Sequence, residues 1–223
     1  MNDLTILYYT CNHVEEPFAT NIRKHLLSIM PKDTPIISIS HKPIDFGKNI
    51  CVAGFEVSIY NVYKQILISS REVETRFLAC CEDDSIYCPE HFEHRPEDDS
   101  FDYNSNRWQI DKDFYFWRPR AGMHTCIAPT KLMVETLEKR FEKYPTLLPR
   151  EQLAGFCEPG RRERRIGLPW VKMTTFKTSI PVLVFNRFGG LGGKRRVKDT
   201  DLIVKDHEYW GSAADLWRKF HYD

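Results

Sequence analysis

The sequence predicts an α/β fold with a mainly parallel sheet, and three observations point there. Short apolar segments rich in β-branched residues alternate with amphipathic ones from the N-terminus to Cys81. Those apolar segments run continuously rather than alternating with polar residues, as strands covered on both faces require. The composition is that of an ordinary folded domain: of 223 residues, 42% are apolar and 28% charged, enough to build a core.

Each element follows in order. Leu4-Thr5-Ile6-Leu7-Tyr8-Tyr9-Thr10 is a buried first strand. Phe18, Ile22, Leu26 and Ile29 recur at helical spacing behind Pro17, a residue suited to a first turn, and Pro31-Lys32-Asp33 ends that helix. Residues 35–40 are a second strand, and residues 41–54 read as a polar loop. Ile59, Val62, Ile66 and Leu67 mark a second helix, and residues 76–81 a third strand. From there the texture changes. Phe101, Tyr103, Trp108, Phe114, Phe116 and Trp117 predict hairpin strands, and Met133, Leu137 and Phe141 one face of a third helix. Beyond Tyr144 the chain reads as loops rich in Pro, Gly and Arg, with one clear strand over 180–185. No repeat or low-complexity tract interrupts it, so residues 1–223 read as one domain.

Charge and cysteine content narrow the function classes. Lys plus Arg number 32 against 31 Asp plus Glu, a net charge of +1 that excludes a globally basic nucleic-acid coat protein but leaves room for local basic patches. No run of 18 apolar residues exists, and Met1-Asn2-Asp3 leads straight into a strand, so neither a membrane span nor a secretory signal is expected. The seven cysteines lack disulfide-module spacing, which fits a reducing cytoplasm.

The most informative segment is Cys80-Cys81-Glu82-Asp83-Asp84-Ser85-Ile86-Tyr87. In an open α/β sheet, ligands bind at the carboxyl ends of strands. Three consecutive acids at such an end repel one another unless a cation or solvent compensates. A hard divalent metal with oxygen ligands is the simple compensation, and such metals also hold substrate phosphates. A solvated acidic turn is the bland alternative, and the flanking apolar residues argue against it. Zinc on Cys81, Cys88, His91 and His94 is disfavoured because the gap between the cysteines exceeds the usual pair spacing. A two-metal nuclease would need carboxylates from other strand ends, and Asp45, Asp99 and Asp111 are not evidently so placed.

With Glu82-Asp83-Asp84 at the end of the third strand, the chain resembles the GT-A fold glycosyltransferases, over residues 4–141 in order of elements. The resemblance implies a Rossmann-like nucleotide-sugar-binding part over 1–143 and an acceptor-side part over 144–223. It also implies a nucleotide-sugar donor, most simply a UDP-sugar, and Mn²⁺ or Mg²⁺ as cofactor. Carried over by position, Glu82 or Asp83 faces the donor ribose and Asp84 binds the metal. Thr10 and Asn12 border the nucleobase, and Ser38 to His41, with Ser40 among them, form a further wall. Asn61, Lys64 and Gln65 lie on the helix before the acidic loop, where such enzymes touch the donor. His207 is the candidate for a C-terminal metal ligand, with Asn186 as the alternative.

Gly189-Gly190-Leu191-Gly192-Gly193-Lys194-Arg195-Arg196 is expected to bring cations to the diphosphate from a loop able to move. It is not a phosphate-binding P-loop: Phe188 stands where Gly is required, and Arg195 where Ser or Thr is required. An inverting transferase needs a carboxylate to deprotonate the acceptor hydroxyl. Glu151 and Glu158 are available, and Glu158 is preferred because its Cys-Glu-Pro-Gly turn can aim a side chain into a cleft. His124 is a further cleft candidate.

On the acceptor side, Arg161, Arg162, Arg164 and Arg165 concentrate positive charge, and Trp108 is available for stacking. An acidic donor site with basic flanks is similar to the bacteriophage glycosyltransferases that modify 5-hydroxymethylated pyrimidines, which implies DNA as acceptor. A polysaccharide or protein acceptor, or a non-catalytic glycan-binding module, are the competing readings.

Overall fold

In the computed structural model, which describes residues 3–146, 156–187, 196–198 and 201–222, the expected α/β sheet is present. Strand β1 (Leu4–Thr10) is buried along its whole length and lies at the centre. Parallel to it on one side run β2 (Ile36–Ser40) and then β3 (Lys48–Cys51), and on the other β4 (Phe77–Glu82). Beyond β4 come β6 (Ser100–Asn104), β9 (Cys126–Pro129) and β10 (Lys172–Phe176), in the spatial order β10-β6-β9-β4-β1-β2-β3. Only β9 runs against the rest, because it pairs antiparallel with both β4 and β6.

Alternation along β1 explains why it reads as continuously apolar. Leu7 and Tyr9 face a core completed by helices α2 (Ile59–Ser70) and α3 (Thr130–Lys143), while Leu4, Ile6 and Tyr8 face one completed by α1 (Phe18–Ile29). Helices therefore cover both faces, as the sequence predicts. Ser58 caps α2 by accepting the Asn61 N–H.

A second sheet packs beside the first, in the order β12 (Ile203–Val204), β8 (Phe114–Trp117), β7 (Arg107–Asp111), β11 (Val182–Phe185), β5 (Ser85–Ile86). The strand expected over 180–185 is β11. It pairs in parallel with β7 and antiparallel with β5, and the Phe185 N–H donates to the Asp84 carbonyl at 2.8 Å. This pairing carries the C-terminal half of the chain back to the acidic triplet.

Four expectations need correction. The loop over 41–54 contains β3, whose polar residues fit an edge strand. Asn49 turns inward there and donates to both Ser38 Oγ (2.9 Å) and Ser40 Oγ (3.0 Å), a pattern that hides its strand character. Of the aromatic stretch, β7 and β8 form a hairpin as expected, but β6 leaves to join the large sheet. Residues beyond Tyr144 include a further strand, β10, and a helix, α4 (Ala213–Tyr222). Helix α4 buries Ala213 and Phe220 against Phe18, Ile22 and Phe185, with Trp217 packed alongside. Finally, α2 buries Ile66 and Leu67 as expected, but Tyr60 and Tyr63 rather than Ile59 and Val62 complete its buried face, and Ile59 is 41% exposed. No helix among the described residues is long and apolar enough to cross a membrane.

Candidate active site

At the carboxyl ends of β1 and β4 lies a cavity of about 510 Å³. Its floor is Glu82, Asp83 and Asp84. Thr10, Cys11, His13 and Val14 follow from the end of β1, and Ile59, Val62, Tyr63 and Gln65 from α2. The other wall holds Gly122, Met123 and His124, the turn Phe156, Cys157, Glu158, Arg161 and Arg162, and Asn186 with Arg187 behind β11.

The triplet is held by hydroxyls from neighbouring elements. Tyr9 Oη donates to Glu82 Oε1 at 2.6 Å, Thr10 Oγ1 donates to Asp83 Oδ2, and Ser85 Oγ donates to Asp84 Oδ1 at 3.0 Å. Gln65 Nε2 donates to the Thr10 carbonyl at 3.1 Å and so braces the end of β1. One oxygen of each carboxylate is thereby fixed in direction.

Crowding of three acids in a concave site makes their ionisation costly. Burial, then the Asp84 charge, pushes Glu82 up to about 8, and the same two causes push Asp83 up to about 7. Asp84 is also raised, by burial, against the pull of Ser85, Arg107 and Arg187. His124 Nδ1 lies 3.6 Å from Glu82 Oε2, and burial followed by Arg107 lowers its affinity for a proton, so the imidazole is neutral. Gly122 is required beside it, since a Cβ there would lie 2.5 Å from His124 Cε1.

Two arginines emerge that motif reading does not identify. Arg107, at the start of β7, is buried, and its charge favours ionised Glu82 and Asp84. Arg187 follows β11, lies over the Phe18 ring at 4.1 Å, and favours ionised Asp83 and Asp84. Neither sits in a run of basic residues. Arg187 was within reach of sequence reasoning only through the rule that strand ends carry function. With Arg120, Arg161 and Arg162, five guanidinium groups line a cavity floored by three acids.

Other expected site residues divide clearly. Glu158 lines the cavity, and its Oε2 accepts from Arg161 Nη1 at 2.8 Å. Arg164 and Arg165 sit on the short helical turn Glu163–Ile166 and point to solvent. Asn12 adopts φ 55°, and its side chain accepts the Lys42 N–H at 2.8 Å, outside the cavity lining. Ser40 is engaged by Asn49, and Lys64 lies over the Phe55 ring at 5.3 Å; neither lines the cavity. Asn61 donates to the Glu56 carbonyl at the start of α2. Trp108 and His207 pack near one another, ring centroids 6.4 Å apart, away from the lining. His207 Nδ1 accepts from the Tyr209 backbone N–H at 3.1 Å, so the structure does not bring it to the triplet. Asn186 does reach the cavity, held by Asp111 Oδ2 at 2.9 Å. Arg196 is exposed, and its carbonyl accepts from Arg118 Nη2 at 3.0 Å. Glu151, Lys194, Arg195 and the glycines 189–193 lie outside the described residues.

Among the described residues, no three His, Cys, Asp or Glu side chains are grouped so as to hold a metal on their own. A divalent ion at Asp84 therefore needs oxygen ligands from a phosphate or water as well. That is ordinary for Mg²⁺ and Mn²⁺ in phosphate chemistry, and the all-oxygen donors of the triplet suit such ions.

No family model and no curated protein matches the chain. Several solved structures are similar in arrangement. The bifunctional IspDF from Campylobacter jejuni is 11% identical, with a TM-score of 0.45 over 80% of this chain and 50% of that one. S. aureus TarS 1-349 in complex with UDP-GlcNAc is 10% identical, with a TM-score of 0.48 over 88% and 62%. A glycosyltransferase involved in the glycosylation of the major capsid of PBCV-1 is 10% identical, with a TM-score of 0.44 over 82% and 93%. The chain thus spans half the length of IspDF and under two thirds of the TarS fragment. At these identities and scores the likeness says nothing of activity.

Proposed function

We propose that the protein is a metal-dependent glycosyltransferase. It moves a sugar from a nucleotide-sugar donor, most simply a UDP-sugar, to a hydroxyl group of 5-hydroxymethylated pyrimidine in DNA. One observation carries this reading: an acidic triplet at the carboxyl end of a central parallel strand shares one cavity with several arginines and a separate carboxylate, Glu158. Paired acids and cations around one pocket suit a diphosphate with its counter-ion, and the separate carboxylate suits an acceptor hydroxyl.

When bound, Mn²⁺ or Mg²⁺ supplies Lewis-acid stabilisation to the departing diphosphate. Asp84 would hold it, with Asp83 beside it and Asn186 rather than His207 as the C-terminal contribution. Arg187 and Arg107 add fixed positive charge on the same side, where charge develops as the bond from the anomeric carbon to the diphosphate breaks. Val14, Ile59 and Val62 offer an apolar wall for the nucleobase. Glu158 takes the proton as the acceptor oxygen bonds to the anomeric carbon, and the nucleoside diphosphate leaves. Arg161 orients Glu158 through their 2.8 Å ion pair. Arg162 at the cavity edge and the exposed Arg164 and Arg165 form a basic track for DNA phosphates.

The test is UDP release from UDP-glucose and related donors with Mn²⁺, comparing hydroxymethylcytosine DNA, hydroxymethyluracil DNA and unmodified DNA. Release only with hydroxymethylated DNA is expected. Acceptor-independent hydrolysis alone would remove DNA and leave glycans or proteins as acceptors. Silence with every donor would remove the transferase.

A further inference from the structure

Arg140 lies in α3, fully buried and outside the cavity lining, directly behind the wall it supports. Its guanidinium is in contact with two rings, 5.2 Å from the Tyr63 centroid and 5.4 Å from that of Phe156. Nη2 pairs with Glu163 Oε1, a carboxylate that is 2% exposed, and Nη1 donates to the Cys157 carbonyl at 2.7 Å. Glu163 Oε1 in turn accepts the Gly160 N–H at 2.9 Å. The pair therefore grips the turn on both sides of Glu158.

Further contacts close the turn. Tyr103 Oη donates to the Pro159 carbonyl at 3.0 Å. Gly160 adopts φ 88°, and a Cβ there would stand 2.2 Å from Met173 Cβ, so the backbone is pressed against β10. Between the anchors at Cys157 and Gly160 the turn presents Glu158 to the cavity, and Phe156, Arg161 and Arg162 line it on either side.

The energetics argue that this grip serves geometry more than stability. A buried ion pair gains little net stability unless every polar atom is satisfied. Here Arg140 Nε and Glu163 Oε2 are buried without hydrogen-bond partners among the described residues. An apolar pair of similar volume would hold α3 against the turn as firmly, but it would offer nothing to the Cys157 carbonyl or the Gly160 N–H.

We propose that Arg140 and Glu163 are positioning residues: together they set the 156–162 turn and so aim Glu158 and Arg161 at the acceptor side of the cavity. The assignment rests on the transferase reading for its kinetic consequence but not for its structural one.

Arg140→Met alone strands the Glu163 carboxylate in the core, so the test is the double variant Arg140→Met with Glu163→Leu, which leaves no buried charge. Hydrogen exchange at 156–162 is expected to speed up at least about tenfold, with exchange in β4 and the melting temperature little changed. With UDP-glucose, the apparent KM for the acceptor should rise and the ratio of transfer to donor hydrolysis fall, while hydrolysis itself and UDP affinity stay at the wild-type level. Unchanged exchange at 156–162 would overturn the proposal. So would faster exchange throughout with a lowered melting temperature, or a parallel fall in transfer and hydrolysis. A wild-type protein inert toward every donor would refute the transferase reading alone, and the exchange measurement would still decide the positioning role.

Discussion

A divalent ion binding at the acidic triplet must displace protons, and the number can be worked from the site. Glu82 is pushed up to about 8 and Asp83 to about 7 by burial and by Asp84. At pH 7 these values put about 0.9 proton on Glu82 and about 0.5 on Asp83. Asp84 is raised too and adds to that load. Both carboxylates stay raised despite the opposing pull of Arg107, Arg187 and the Tyr9 and Thr10 hydroxyls, and the facing His124 is neutral. Mn²⁺ titrated into UDP-saturated protein at pH 7 should therefore release about one proton or more per ion, once the release from Mn²⁺ and UDP alone is subtracted. At pH 9 the same carboxylates hold about 0.1 proton together, so the release should nearly vanish. Calorimetry in buffers of different ionisation enthalpy reads the number directly. Ion binding with no proton release at pH 7, or with equal release at pH 7 and pH 9, would refute a site built on the triplet.

Four other outcomes follow from the same geometry. Glu158→Gln should lower transfer by at least about a hundredfold while leaving UDP affinity unchanged, measured as separate turnover and binding assays. Arg187→Gln should weaken UDP about tenfold and leave uridine affinity unchanged, because one charge-assisted contact to the diphosphate is lost. Without divalent ions, thermal stability should fall as pH rises from about 4 towards about 8. Glu82 and Asp83 have folded values above their ordinary 4.5 and 3.8, so the folded state holds protons that the unfolded state releases across that window; melting curves of Glu82→Gln should show a shallower fall. Replacing Arg164 and Arg165 by Gln should reduce the salt slope of DNA binding by about 2, read from titrations at several salt concentrations.

Much of the fold around the triplet was legible in the sequence because its elements announce themselves. β1 and β4 are continuous apolar runs, α1 has one clean stripe, and the triplet interrupts apolar residues abruptly at a strand end. The parts that escaped are those where tertiary contacts decide. β3 hides behind Asn49, which is polar because it clamps two serines of the neighbouring strand. Helix α4 did carry a signal, since Ala213, Leu216, Trp217 and Phe220 follow helical spacing behind a stretch of loop-like residues. Arg107 and Arg187 reach the triplet because β7 and β11 pair in parallel across a long separation in sequence, a register that no local pattern encodes. The basic run 161–165 divides for a similar reason: Glu163 turns inward to Arg140, which sends Arg161 and Arg162 towards the cavity and leaves Arg164 and Arg165 outside.

The proposed cation-assisted nucleotide-sugar site is tested most directly by a calorimetric titration of UDP with and without Mn²⁺, on the wild type and on Asp84→Asn. Binding that strengthens at least about tenfold with Mn²⁺ in the wild type, and loses that Mn²⁺ dependence in Asp84→Asn, is the predicted result. UDP binding indifferent to Mn²⁺, or a Mn²⁺ effect that survives in Asp84→Asn, would contradict it.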